Sequence, residues 1–134
     1  MIPLLFLAAA SADLDALDQA VSRCDRESAN PVFAGEAARR SQFLIDAYRE
    51  QESITNARLD IVTQRQTLTD EAAKTAAAQL KDLDKQDSLL DARSKALNDQ
   101  RSLEAAREQA MDAMRHYFLQ HCPAGGGSAS ERAK

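Results

Sequence analysis

Between Glu36 and Cys122 the chain has neither glycine nor proline. The breakers stand at the edges of that stretch: Pro31 and Gly35 before it, Pro123, Gly125, Gly126 and Gly127 after it. Ala, Leu, Gln, Arg, Lys, Asp and Glu fill most of the interval, which reads as long α-helix. A single helix of that length would run roughly 130 Å at ~1.5 Å per residue. Aromatics are also scarce: four Phe, two Tyr and no Trp, with none between Tyr48 and Tyr117. A globular core of ordinary thickness is hard to fill with Ala and scattered Leu, whereas a helix pair needs only a narrow apolar seam.

Charge of one sign is not concentrated anywhere. The net charge is -4, with both signs interleaved. No clustered basic face is present for nucleic acid, and no polybasic run for anionic lipid. The chain also lacks a Cys-x-x-Cys pair, a Gly-x-Ser-x-Gly elbow and a phosphate-cradling glycine loop. Its carboxylates alternate with Lys and Arg, and Asp91 with Lys95 and Glu104 with Arg107 read as ordinary helix-surface pairs. A catalytic carboxylate pair needs a partly dry pocket that a two- or three-helix rod does not offer. The expectation is a non-enzyme with no catalytic residue, cofactor, metal or small-molecule substrate.

The chain opens with the apolar run Ile2 to Ala10, then Ala10-Ser11-Ala12 and the first charge at Asp13. This resembles a signal h-region followed by a small-x-small cleavage site. A basic n-region is missing, which a start further upstream would explain. The run is too short to span a bilayer, since ~20 apolar residues are needed. The expected organisation is a signal peptide over 1–12, a helical hairpin domain over 13–122 and a disordered tail over 123–134. The mature chain would then occupy a periplasmic or secreted, oxidising space.

Asp13 to Arg26 reads as a short amphipathic helix with Leu14, Leu17, Val21 and Cys24 on one face. Ser28-Ala29-Asn30-Pro31 reads as a break and restart, with Asn30 as cap and Pro31 at the first helical position. The second helix carries a seam at Leu44, Ala47, Gln51, Ile54, Arg58, Ile61, Arg65 and Leu68, widened by Phe43, Tyr48 and Val62. The next helical segment continues with Ala76, Leu80, Leu83, Asp87, Leu90, Ser94 and Leu97. Its frame then slips to Leu103, Ala110, Met114 and Tyr117.

The two cysteines decide between one rod and a hairpin. Residue 73 lies midway between Cys24 and Cys122, close to a candidate turn at Thr67-Leu68-Thr69-Asp70-Glu71, where Thr69 can cap a new helix. A disulfide needs Cα atoms about 4.4–6.8 Å apart. A rod would separate the pair by more than roughly 100 Å. Folding near residues 72 to 73 also sets Ile54 near Leu90, Ile61 near Leu83, Gln51 near Ser94 and Arg58 near Asp87. The fold expected is all-α: an elongated antiparallel helical hairpin, coiled-coil-like, with a short N-terminal helix at its base and Cys24–Cys122 as clamp. The alternative is a parallel or antiparallel rod dimer with intermolecular disulfides.

His116, His121, Cys24 and Cys122 are the soft metal ligands grouped at one end. Their spacing suits a disulfide with two surface histidines better than a metal site. Arg58 and Arg65 are expected to run their stems along the seam and place their guanidinium groups in water or on a carboxylate. Phe33, Phe43, Tyr48, Met111, Met114, Tyr117 and Phe118 converge away from the turn. They form either a small end-core or a partner-binding patch, which interfaces enriched in aromatics and Met would favour. The function expected is presentation of long helical faces to a protein partner or to the chain itself. The architecture resembles the helical tentacles of periplasmic Skp-type chaperones, which implies a holdase as the alternative; those carry a basic client-facing surface.

Overall fold

The computed structural model describes residues 5–68 and 73–124, with side chains from Asp13 to Leu68 and from Thr75 to Ala124. Three helices follow one another: α1 (Leu5–Ser22), α2 (Arg26–Leu68) and α3 (Ala73–His121), and no strand occurs among the described residues. α2 and α3 pack against each other as an antiparallel hairpin, so the chain is not a single rod. The expected turn and its Thr69 cap fall largely on residues 69–72, outside the described residues, between the end of α2 and the start of α3. The expected signal segment lies partly outside them, in residues 1–4; of the expected tail, residues 125–134 lie outside. The contacts divide the chain into two units, one joining the residues up to Arg39 with those from Arg107 onward, the other spanning Arg40 to Ala106.

In the first unit, α1 ends sooner than its amphipathic pattern suggests. Cys24 adopts φ 52°, in the left-handed region. Its N–H donates to the Val21 carbonyl at 3.1 Å, and the Asp25 N–H donates to the Ala20 carbonyl at 2.8 Å. These two bonds form a Schellman ending with Cys24 at the position glycine usually holds. Cys24 therefore lies past the helix rather than on its face. The next helix also begins earlier than expected. Asp25 caps α2: it accepts from the Ser28 N–H at 3.2 Å and the Ser28 hydroxyl at 2.7 Å, while its own carbonyl takes the Ala29 N–H at 3.0 Å. Asn30 is thus not the cap, and Pro31 lies inside α2. Without an N–H, Pro31 leaves the Glu27 carbonyl short of its helical donor. The nearby first turn limits that penalty.

α1 contributes Leu17, Ala20 and Val21 to the core of this unit, α2 contributes Ala29, and α3 contributes Met111 and Phe118, with Cys122 beside them. Leu14, Val32, Phe33 and Met114 pack around these. Ala29 is 0% exposed, so a small residue stands where the helices close in. The Phe33 and Phe118 rings meet at 5.7 Å, tilted by 46°. The Arg26 guanidinium lies 5.3 Å from the Phe118 ring centre and donates to the Cys122 carbonyl. Such a cation–ring contact stabilises by ~0.5–1 kcal/mol at a partly exposed site.

In the second unit, α2 and α3 share a narrow seam. Ala47, Ile54 and Leu97 form one cluster, with Phe43 against it. Ile61, Leu83 and Leu90 form another, with Ala57 and Leu68 against it. Ile61 and Leu83 meet as the fold-back register requires, but Ile54 clusters with Leu97 rather than Leu90. Leu44, assigned to the seam from its spacing, is 54% exposed, and Leu80 is 39% exposed. The frame slip expected at Leu103 does not occur. Ala76, Leu83, Leu90 and Leu97 are buried in this unit, and Met111 and Phe118 keep the same seven-residue step in the first unit, while Leu103 stays 50% exposed and Tyr117 46%. The step passes through a charged stretch that a count of apolar residues skips.

Two stability measurements follow. Cys24→Gly and Cys24→Ala both remove the cross-link, but only glycine adopts the left-handed position without strain. Cys24→Gly should be the more stable by about 1 kcal/mol in urea unfolding. Equal stability would contradict the Schellman assignment. At Gly35, inside α2, an added Cβ meets nothing within 4 Å. Gly35→Ala should therefore raise stability by about 0.5–1 kcal/mol, read as an increased melting temperature.

Candidate functional site

The residues that the sequence groups as a possible partner patch are divided between the two units. Phe33, Met111, Met114 and Phe118 belong to the first unit's core, where they contact α1 and one another. Tyr117 lies outside that core, its ring stacked on His121 at 4.1 Å. Phe43 packs in the second unit. Tyr48, in the same unit, is 79% exposed.

The Cys24 and Cys122 sulfurs lie 2.01 Å apart, at disulfide distance, with Cα atoms at 5.4 Å. A bridge there ties the α1–α2 junction to the end of α3. Closing so long a loop stabilises by ~4–5 kcal/mol in the chain-entropy model. It also removes both thiols as ligands for a metal. His121 Nδ1 sits 3.0 Å from the Tyr117 carbonyl, one turn back on its own helix. Among the described residues no group of three or more His, Cys, Asp or Glu side chains is arranged to hold a metal ion.

The most tightly held charges lie in the first unit. Arg107 is 8% exposed, although it is a surface residue in a simple helix count. Its guanidinium donates to both Glu36 carboxylate oxygens at 3.2 Å, and to Asp13 at 2.9 Å. Glu36 also receives Arg39, at 2.7 Å. One carboxylate on α2 thus serves two cations, and one cation on α3 holds carboxylates from α1 and α2. Burial by itself would raise the Glu36 pKa, but the hydrogen bonds from Arg39 and Arg107 outweigh it and hold the carboxyl below its ordinary value. For Arg107, burial works against the charge, and the bonds from Glu36 and Asp13 overcome it and raise the pKa. Sequence spacing assigned Arg107 to Glu104. The long-range partners are invisible to local counting, because Asp13 and Glu36 are far from Arg107 in sequence.

In the second unit the seam arginines reach carboxylates on the other helix. Arg58 bonds Asp91 at 2.7 Å, not Asp87. Arg65 takes Asp84 at 2.8 Å and Asp87 at 3.5 Å. Asp91 is therefore engaged across the hairpin, and Lys95 pairs instead with Asp99 at 2.7 Å. Arg93 grips Glu50 with two bonds, at 2.8 and 2.9 Å, and reaches the Ser53 hydroxyl at 3.1 Å. The Arg93 bonds lower the Glu50 pKa. These exposed pairs each stabilise by only ~0–1 kcal/mol, and they fix register more than they add stability.

The outer flank of α2 in this unit is different in kind. Leu44, Ile45 and Tyr48, with Arg49 and Glu52, line a shallow depression of about 290 Å³. Further along, Leu59 is 63% exposed and Val62 49%. At ~100° per residue, these positions cluster roughly 120° around the helix from Ala47, Ile54 and Ile61. The sequence reading folded Tyr48 and Val62 into one broad seam. The structure resolves two stripes on α2, one packed against α3 and one left open.

The ion-paired group in the first unit should make stability pH-dependent. Because the folded-state pKa of Glu36 lies below its ordinary value of 4.5, its contribution is present above that value and is lost as pH falls through the depressed one. Glu36→Gln should destabilise by about 1–3 kcal/mol near neutral pH, since Arg107 loses a charged partner. The gap to the unsubstituted protein should narrow progressively as pH is lowered from neutrality below 4.5 in urea unfolding. An unchanged gap would contradict the assignment. No protein-family model, curated protein or solved structure matches this chain.

Proposed function

We propose that this chain is an exported, non-catalytic interaction module that presents helical faces to a protein. The observation that carries this reading is the outer flank of α2, where Leu44, Ile45, Tyr48, Leu59 and Val62 are all between 46% and 79% exposed. Large apolar side chains gathered on one flank mark surfaces that another chain covers. The titratable groups whose pKa values move support the non-catalytic part. Asp25, Glu36, Glu50, Arg93 and Arg107 are bonded to protein partners that account for the shifts. They act as fasteners rather than as acids or bases aimed into a cleft.

Export is supported by two separate features. One is the apolar run before Asp13 that ends in Ala10-Ser11-Ala12. The other is the cysteine pair at disulfide distance, an arrangement that persists in oxidising compartments. Among the described residues no helix is long and apolar enough to cross a membrane. A holdase would also use exposed apolar side chains. It is distinguished by suppression of aggregation of an unfolded outer-membrane protein, which a specific interaction module does not require.

A photo-crosslinking amino acid placed at Tyr48, and a control at the exposed Asp112, tests the reading in cells. Crosslinks to protein should form at Tyr48 and not at Asp112. Fractionation should recover the chain from the exported fraction, with its cysteines open to alkylation only after reduction. A chain confined to the cytosol with reduced cysteines would overturn the export assignment. Absence of any Tyr48 crosslink would overturn the interaction assignment.

A further inference from the structure

We infer that the outer flank of α2 is a self-association surface, which takes a second copy of this chain antiparallel across a two-fold axis near residues 53 and 54. The inference rests on the interaction reading above and names its partner. Ile45, Tyr48, Glu52, Thr55, Leu59 and Val62 follow alternating steps of three and four along the flank. That spacing keeps side chains on one side of a helix packed against another helix. All six are exposed.

The order of these residues selects the partner. Read from either end, the stripe runs apolar, apolar, polar, polar, apolar, apolar. An antiparallel copy sets Ile45 against Val62, Tyr48 against Leu59 and Glu52 against Thr55 of the second chain. Each contact then occurs twice, as a two-fold interface demands. A parallel copy would set Glu52 against Glu52, and like charges at facing positions repel.

The flanking charges agree with the antiparallel choice. Arg49 stands near one end of the stripe and Asp60 near the other, on the same edge at ~100° per residue. Antiparallel docking sets this edge of one copy beside the same edge of the other and brings Arg49 of each toward Asp60 of its partner; parallel docking puts the two copies of the edge on opposite sides of the contact, where that pairing is lost. Among the described residues Arg49 is held within its own chain only by Asp46, at 3.8 Å on a side chain 74% exposed. That contact is too loose to compete with a new partner. The depression beside Leu44, Ile45 and Tyr48 is open, and it faces the positions from which Leu59 and Val62 of the second copy project. With four apolar residues from each chain, the contact is small, and association is expected on the order of micromolar.

Sedimentation equilibrium of the intact, oxidised chain, from about 1 to about 300 μM, a range chosen to bracket a micromolar dissociation constant, provides the test. The unsubstituted protein should form a reversible dimer. Leu59→Glu, and independently Tyr48→Glu, should weaken it at least about tenfold with unchanged helix content and, in dilute solution where the monomer dominates, an unchanged melting temperature, because neither residue is in the core. Arg49→Glu and Asp60→Arg should each weaken the dimer, and the double variant should restore it. A monomer throughout the range, or a dimer indifferent to Leu59→Glu, overturns the inference. Failure of the charge swap to restore association overturns the antiparallel register. A monomer whose Tyr48 crosslinks in cells to a different protein removes self-association and leaves the interaction reading standing. A monomer with no Tyr48 crosslink removes both.

Discussion

A helix of 43 residues, such as α2, has to bury one stripe along its length or remain marginal in water. Here α3 supplies the matching stripe. Ile61 against Leu83 and Ala47 against Leu97 define an antiparallel seam one side chain wide. The seam is thin because the chain contains almost no large aromatic residues away from its ends. Exposed cross-helix ion pairs, Arg58 with Asp91 and Arg93 with Glu50, lie along its margins. They add little stability individually, but a shift of register would break all of them together.

The unit formed by both ends of the chain solves a different packing problem. Three helices meet there, and the aromatic and methionine side chains are used to fill the space among them. One buried position among the apolar ones is Arg107, three residues beyond the Glu104 step of the seven-residue repeat. A buried guanidinium is tolerated only when its charge and donors are met, and Glu36 and Asp13 meet them. An ion pair of this kind fixes how α1, α2 and α3 come together, because apolar side chains can slide past one another and a bidentate pair cannot. The cysteine pair adds a second constraint at the α1–α2 junction. There Cys24 keeps a left-handed backbone that glycine would adopt more easily, a local penalty accepted in favour of the link to Cys122.

Several misreadings of the sequence share one cause. Asn30-Pro31 looked like a helix start because proline is welcome there, yet Asp25 with Ser28 made the better cap five residues earlier. By apolar spacing Leu103 belongs to the seam and Arg107 to the surface, yet Leu103 is 50% exposed and Arg107 8%. Leu44, Tyr48 and Val62 were merged into the seam because heptad spacing does not say how wide a stripe is. In each case local chemistry offered two answers, and contacts from distant parts of the chain chose between them. The seven patch residues are similarly ambiguous in the sequence. Phe33 and Phe118 are core, and Tyr48 is open, although nothing in their side-chain chemistry separates them.

Composition and spacing by themselves determined that the chain is helical, and they favoured a chain that doubles back with its two cysteines together over a rod dimer; the packing of α2 on α3 decided for the hairpin. The helix follows from the missing breakers, and the preference for a hairpin from the narrow apolar seam and the symmetric placement of the cysteines about residue 73. Only the tertiary structure decided which carboxylate each arginine takes, where α1 stops, and which of the two stripes on α2 is covered. The reason is physical. Helix propensity and periodicity act over a few residues, whereas burial and ion pairing join groups such as Asp13 and Arg107 that are neighbours only after the helices have packed.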